Sequence, residues 1–263
     1  MILNIRGTSG SGKTWLIRRI MEELGPPEPI ISAEGEKPDG YLLQGNIRLV
    51  GSYENVCGGC DAVNFSKHTK AILKRWPKSR EELLAELDAL HISEPDKEKM
   101  LSRLEKGKEA GGTVGLVEAR VRSWAAIGHV IFEGLIISGS YWRFQKIGGV
   151  IFAFLDTPLD LCTQRIMERN GGKPVKFENT KSKWDDARST YQIAVQGGEQ
   201  AVWIDHTCAF EQVMEIIYGN VPELREGLLR YIQPLELSSP EPTGETNGKT
   251  FTLPLDASRL CPF

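Results

Sequence analysis

The sequence lacks the long apolar runs of membrane proteins and the paired cysteines of small secreted domains. No stretch of the 263 residues approaches the roughly 20 apolar residues that a membrane span requires. The five cysteines are odd in number and scattered, which argues against a disulfide framework and favours a reducing compartment. No signal peptide precedes the first apolar segment. We therefore expect a cytoplasmic protein without a membrane partner.

The sequence also lacks an extreme composition or charge. Hydrophobic residues make up 40% and charged residues 25% of the chain, and the formal net charge is −3. These values are ordinary for a globular protein and exclude a fibre or wholesale disorder. The net charge does not by itself indicate a nucleic-acid binder, although the charges are unevenly distributed.

One motif near the start of the chain carries a specific chemistry. Residues 7–14 fit the phosphate-binding pattern G-x-x-x-x-G-K-[ST], between an apolar β-type segment and a segment of helical periodicity. The loop consists of Gly7, Thr8, Ser9, Gly10, Ser11, Gly12, Lys13 and Thr14. Backbone amides of such a loop cradle phosphates. We expect Lys13 to reach the β- and γ-phosphates of ATP and the Thr14 hydroxyl to bind Mg²⁺.

The hydrophobic pattern predicts an α/β fold. Apolar strands at 1–6, 129–132, 150–155 and 202–205 alternate with helical segments, which indicates a parallel sheet covered on both faces. Residues 29–32 form a weaker strand candidate, and 41–50 read as a small hairpin around Gly45 and Asn46. The prediction is a three-layer sandwich of the P-loop kinase type, with a mainly parallel five-stranded sheet and a helical insertion. Helices are expected at 13–24, 64–75, 79–90, 95–109, 113–126, 158–169, 180–196, 209–218 and 222–231.

The domain organisation follows from the same pattern. Residues 1–233 form the predicted kinase domain, with a charged helical insertion at about 52–112. A lid is predicted at about 165–188, and a tail at 234–263 contains five prolines among polar residues. We find no internal repeat.

A second acidic site follows the strand at 129–132. Glu133 emerges at the carboxyl end of this strand, the edge where ligands bind in open α/β sheets. It is the candidate Walker B residue, either holding magnesium or taking the proton of the acceptor hydroxyl. The structural alternative is that Glu133 caps the turn.

The segment after Asp156-Thr157-Pro158 is a candidate lid. Arg165 and Arg169 lie one helical turn apart, so both guanidinium groups are expected on one face, where they can clamp a transferring phosphoryl group. A glycine-rich basic stretch follows, with Lys173, Lys176, Lys181, Lys183 and Arg188. The alternative is a solvated amphipathic helix.

The sequence signals for the residues that would bind the phosphate acceptor are less specific. Residues 63–80 carry lysine, arginine and one histidine but no acidic residue, with Phe65 and Trp76 among them, a pattern that suits nucleic acid or an ordinary solvated helix. The preceding segment, 51–61, reads as a substrate loop with Tyr53 for stacking and Asp61 for holding a hydroxyl. The Cys57-x-x-Cys60 pair is a weak zinc signal because no second pair accompanies it.

Missing motifs narrow the function further. The chain has neither the Asn-Lys-x-Asp nor the Asp-x-x-Gly motif of regulatory GTPases, and no transporter-cassette signature or helicase series. We therefore expect a small phosphotransferase. A kinase of a free nucleoside, nucleotide or other metabolite, and a non-catalytic nucleotide-binding module or ATPase, remain the alternatives.

Three sets of residues together resemble one family. The phosphate loop, the 51–61 segment and Phe132-Glu133-Gly134 with Asp156-Thr157-Pro158 look like the bacteriophage 5-hydroxymethyluracil DNA kinases, which are thymidylate-kinase-like enzymes. The resemblance spans about residues 1–230 and implies phosphorylation by ATP of 5-hydroxymethyluracil in DNA, in the host cytoplasm. Glu133-Gly134 stands where ordinary thymidylate kinases usually carry Asp-Arg, which argues against free dTMP as acceptor.

Overall fold

A computed structural model describes most of the predicted kinase domain. The described residues are 1–31, 37–54, 58–60 and 112–224, with a few positions between 81 and 101. Asp61, the basic segment 63–80 and the tail at 234–263 lie outside the described residues. The predicted helix at 64–75 also lies outside the described residues, whereas the described positions within the helices predicted at 79–90 and 95–109 are helical.

The centre of the molecule is a single sheet with strand order β2-β3-β4-β5-β1-β6-β7. The strands are β1 (Ile2–Arg6), β2 (Glu28–Ile30), β3 (Gly40–Leu43), β4 (Ile47–Val50), β5 (His129–Glu133), β6 (Val150–Asp156) and β7 (Ala201–Asp205). Strands β4, β5, β1, β6 and β7 pair in parallel, whereas β2 and β3 pair antiparallel at one edge. Strand β1 is the middle one of the five parallel strands, so the loop that follows it emerges at the middle of their carboxyl edge.

The predicted mainly parallel α/β sheet is confirmed, but its strand number is seven rather than five. The residues at 41–50 form a hairpin as predicted, and its turn contains Gly45 and Asn46, both with positive φ. The hairpin does not stand alone, because β4 pairs in parallel with β5. A two-stranded hairpin is only marginally stable in water, so joining the main sheet satisfies its backbone and buries its apolar face.

The helices cover both faces of the sheet. They are α1 (Lys13–Glu23), α2 (Gly112–Ala125), α3 (Leu135–Ser138), α4 (Tyr141–Gln145), α5 (Leu159–Arg169), α6 (Phe177–Gln196) and α7 (Ala209–Asn220). The two short helices α3 and α4 were not predicted, because four or five residues are too few to show helical periodicity. The predicted helix at 222–231 is a 3₁₀ turn at Pro222–Leu224 where it is described.

Two apolar cores lie on opposite faces of the sheet, which confirms the three-layer arrangement. One core joins α1 and α7 to residues such as Leu3, Ile5 and Ile131. The other joins α2, α4 and α6 to Val130, Phe132, Phe152 and Phe154. Alternate residues of β1, β5 and β6 thus serve different layers, as the period of a strand requires. Among the described residues, no helix combines the length and apolar character that a bilayer crossing requires.

Phe152→Ala tests the second core. The ring is fully buried and contacts Tyr141, so its removal leaves a cavity in the middle of the sheet. We expect the free energy of unfolding in urea to fall by about 3–5 kcal/mol. The control Val202→Ala changes a half-exposed strand residue and should cost no more than about 0.5 kcal/mol. Equal losses from the two substitutions would contradict this core position.

Candidate active site

The phosphate loop joins β1 to α1 and has the backbone geometry that its pattern predicts. Gly10 and Gly12 have φ values of 77° and 96°, a region that favours glycine. Helix α1 begins at Lys13, directly after the loop, and the Leu16 amide donates to the Gly12 carbonyl at 2.9 Å. The amides of the first helical turn therefore lie at the end of the loop, where they favour an anion.

Lys13 is held inside the loop. Its ammonium donates to the carbonyl oxygens of Gly7 and Thr8, each at 2.9 Å. The side chain is buried, so its cation lies at the concave side of the loop. This is the position from which a lysine of this motif meets the β- and γ-phosphates.

Two polar groups of the loop fit an incoming polyanion. The hydroxyls of Thr8 and Ser11 are buried and have no hydrogen-bond partner among the described residues. Buried hydroxyls without partners are costly, and phosphate oxygens would accept from both. The donor set of amides, hydroxyls and one ammonium fits the triphosphate of ATP.

Glu133 and Thr14, the two predicted magnesium ligands, lie next to each other. Glu133 ends β5, is only 2% exposed, and accepts a hydrogen bond from the Thr14 hydroxyl at 3.3 Å. A carboxylate beside a hydroxyl offers the hard oxygen ligands that Mg²⁺ prefers. The geometry thus fits the predicted magnesium ligands, and the cap of a surface turn does not explain so deep a burial.

Helix α5 and the residues just before it pack against the phosphate loop. The Thr157 hydroxyl donates to the Ser11 carbonyl at 2.8 Å, and Arg165 Nη1 donates to the Gly10 carbonyl at 3.4 Å. A Cβ on Gly10 would lie 2.3 Å from the Cys162 carbonyl oxygen. Burial raises the pKa of the Cys162 thiol to about 11, against the opposing influence of Arg165 and Lys13. Cys162 therefore acts as a small apolar group in this contact.

The two predicted lid arginines differ in position. Arg165 lies against the phosphate loop, whereas Arg169 is exposed in the last turn of α5 and forms no hydrogen bond or ion pair among the described residues. Gly171 and Gly172 end the helix with positive φ, and the Gly172 amide donates to the Met167 carbonyl at 2.9 Å. The phosphoryl clamp stays a prediction for both residues, although only Arg165 lies at the phosphate loop.

The predicted substrate loop reaches the acidic site. Ser52 and Gly59 form an isolated β-bridge, with the Gly59 amide donating to the Ser52 carbonyl at 2.8 Å. The Gly59 backbone packs closely against the Glu133 carboxylate. There is no room for a side chain at residue 59, because an added Cβ would lie 2.3 Å from Glu133 Oε1. Tyr53 is only 6% exposed, which argues against the predicted stacking of a base on its ring. Asp61, the predicted acceptor ligand, is outside the described residues.

The sequence did not predict one cluster of contacting side chains near the site. Arg188, predicted only as a lid cation, pairs with Asp156 and lies 3.9 Å from the centre of the Trp184 ring. Trp203 Nε1 donates to the same carboxylate at 2.7 Å. These contacts fix α6 to the ends of β6 and β7. The sequence offers no signal for them because they join residues up to 47 positions apart.

Comparison with known proteins supports the resemblance seen in the sequence. No family model matches the chain. The chain is 28% identical over 229 residues to a 5-hmdU DNA kinase of Pseudomonas phage PaMx11, covering 82% of this chain and 96% of the relative. It is 29% identical over 231 residues to a 5-hmdU DNA kinase of Pseudomonas phage M6, with the same coverage. The expected similarity to phage DNA kinases is thus confirmed.

Two solved structures also align with most of the chain. A gluconokinase from Sinorhizobium meliloti 1021 aligns at a TM-score of 0.39 and 13% identity, covering 88% of this chain and 97% of its own. A deoxyadenosine kinase from M. mycoides aligns at 0.40 and 13% identity, covering 83% and 100%.

Gly10→Ala should weaken ATP binding and destabilise the fold. The added Cβ meets the backbone of α5, which cannot move aside as a side chain can. We expect about tenfold weaker ATP binding by calorimetry, from strain of the order of 1–3 kcal/mol. Gly171→Ala is the matched control, since its φ is also positive but nothing lies within 4 Å of the added atom. Unchanged ATP affinity in Gly10→Ala would contradict the close packing of α5 against the phosphate loop.

Proposed function

We propose that the chain is an ATP-dependent kinase that phosphorylates the 5-hydroxymethyl group of 5-hydroxymethyluracil in DNA, a step in thymine hypermodification of a phage genome. The observation that carries this proposal is similarity to two 5-hmdU DNA kinases along 96% of their length. The phosphate loop at residues 7–14 and the buried Glu133 carboxylate beside it are the groups that would carry out phosphoryl transfer. Because the proposed substrate base is part of phage DNA, the proposal includes the host cytoplasm as the site of the reaction.

The donor half of the site is built by the phosphate loop. Amides of residues 7–14 and the Lys13 ammonium hold the triphosphate and balance the charge of the migrating phosphoryl group. Arg165 approaches from α5 and adds a second cation at the loop. Thr14 and Glu133 are the residues that would hold Mg²⁺, which would neutralise phosphate charge and orient the triphosphate.

The acceptor chemistry requires one proton to leave. The oxygen of the hydroxymethyl group forms a bond to the γ-phosphorus while the bond from that phosphorus to the β-γ bridging oxygen breaks, and ADP departs with the electron pair. The proton of the hydroxyl passes to Glu133 or to Asp61. Phosphoryl transfer has a loose transition state in most analyses, so positioning and charge contribute more than a strong base does.

The class of acceptor is tested by phosphate transfer from γ-labelled ATP. Equal amounts of 5-hydroxymethyluracil DNA, unmodified DNA and free nucleosides are offered, with Lys13→Ala as the inactive control. We expect label in the modified DNA alone. Label in free nucleosides with none in DNA would favour a metabolite kinase, and hydrolysis of ATP without any labelled acceptor would favour an ATPase.

Glu133→Gln tests the acidic site. The amide oxygen still accepts from Thr14, but the negative charge and the basic oxygen are lost. We expect kcat to fall by about 10²–10⁴-fold and the Mg²⁺ requirement to rise, measured by titrating Mg²⁺ at saturating ATP.

Glu22→Gln is the control for that substitution, because it neutralises an exposed carboxylate on α1 that pairs only with Arg19 among the described residues. Its activity should match the unaltered protein. Equal kcat values for Glu133→Gln and Glu22→Gln would remove Glu133 from the proposed site.

A further inference from the structure

A cleft opens at the phosphate loop on the face of the sheet opposite α1. Its volume is about 480 Å³, within the range of about 300–1,000 Å³ typical of small-molecule pockets. Gly7 and Thr8 form one end, the segment Ser138–Trp142 forms one wall, and α6 forms the other. A larger cleft of about 760 Å³ lies beside the Asp156–Arg188 pair but is not lined by the phosphate loop.

The cleft opens where the γ-phosphate is expected. The Lys13 ammonium, which meets the β- and γ-phosphates in loops of this type, bonds to the carbonyls of Gly7 and Thr8. These two residues also line the cleft. An acceptor must approach the γ-phosphorus, whereas the nucleoside of ATP extends from the α-phosphate. The position therefore suits the acceptor and not the adenine.

The inner part of the cleft is polar and its side chains are buried. Thr8 and Tyr141 are both more than nine-tenths buried, line the cleft, and have hydroxyls without a partner among the described residues. Burial raises the pKa of the Tyr141 phenol, so the hydroxyl stays a proton donor at neutral pH. A ligand with carbonyl oxygens would satisfy it.

Arg6 adds a fixed positive charge at the same place. The guanidinium is 1% exposed, donates to Asn4 Oδ1 at 2.8 Å and to the Ser138 carbonyl, and lies 5.6 Å from the centres of the Tyr141 and Phe154 rings. Burial lowers its pKa to about 9, which still leaves it charged at neutral pH. It holds the Ser138–Trp142 wall against β1 at the edge of the phosphate loop.

The outer part of the cleft is apolar and open. Trp142 on one wall is 57% exposed, and Ile193 on the other is 40% exposed. An exposed tryptophan beside a pocket offers a flat surface, and base stacking on aromatic rings contributes about 1–3 kcal/mol per base. Lys183 and Asp186 also line the cleft, so its α6 wall carries charges of both signs, of which the Lys183 cation suits a nearby DNA phosphate.

We propose that this cleft receives the acceptor pyrimidine turned out of the DNA stack, with Trp142 as its stacking surface and the Tyr141 hydroxyl as donor to one of its carbonyl oxygens. The proposal rests on the proposed function and names the base subsite within it. A base inside a duplex cannot reach a phosphate loop recessed at the edge of a sheet, so extrusion of the base is required. This subsite differs from the acceptor region predicted at 53–80, where the Tyr53 ring is buried.

Steady-state kinetics with 5-hydroxymethyluracil DNA and with ATP test the subsite. Trp142→Ala should raise the KM for DNA by about tenfold or more, as loss of one stacked base predicts, with the KM for ATP unchanged. Trp142→Phe should recover most of the loss. Ile193→Ala should raise the KM for DNA, while the matched control Val195→Ala, at an exposed α6 residue outside the cleft, should leave it unchanged.

Tyr141→Phe gives an independent readout. It removes only a hydroxyl that has no partner among the described residues, so thermal unfolding should not shift downward, while the KM for DNA should rise. A KM for DNA in Trp142→Ala and Tyr141→Phe equal to that of Val195→Ala would overturn the assignment, as would a rise confined to the KM for ATP.

The two proposals fail in distinguishable ways. If the unaltered protein does not phosphorylate 5-hydroxymethyluracil DNA, the proposed function fails and the base subsite fails with it. If the unaltered protein phosphorylates that DNA and both Trp142→Ala and Tyr141→Phe keep its KM for DNA, only the subsite is wrong.

Discussion

The close approach of helix α5 to the phosphate loop is the contact on which the site depends. The Cys162 carbonyl leaves no room for a Cβ on Gly10, and Thr157 and Arg165 bond to the carbonyls of Ser11 and Gly10. A loop of glycine and serine has high conformational entropy when free. Packing against α5 fixes that loop before a nucleotide arrives, so the cost of ordering it falls on folding and not on binding.

The central position of β1 gives the loop access to two faces of the sheet. On one face, α1 continues from Lys13 and sets Thr14 against Glu133. On the other face, Arg6 lies under the short helices α3 and α4 and borders the proposed base subsite. Alternation of side chains along one strand therefore separates the Thr14–Glu133 pair from the proposed base subsite, and the phosphate loop borders both.

The sequence predicted the parts of the site that are local in the chain. The phosphate loop, the strand ending at Glu133 and the helix after Pro158 each carry a pattern within about ten residues, and all three lie together in the structure. The joining of the hairpin at 40–50 to the main sheet was missed, because pairing of β4 with β5 depends on residues about 80 positions apart. Arg6 was missed for a similar reason: a lone arginine at the end of a strand shows its burial only after helices α3 and α4 have folded over it.

The position of the new phosphate in the product tests the central claim most directly. After reaction with ATP, the modified DNA is cut to mononucleotides by a nuclease without phosphatase, and the nucleotide with the additional phosphate is identified by mass spectrometry and by phosphorus–proton coupling. The account predicts a phosphomonoester on the oxygen of the 5-hydroxymethyl group, present with the unaltered protein and absent with Lys13→Ala. A phosphate on a sugar hydroxyl, or on a free nucleoside while the DNA base stays unmodified, would contradict it.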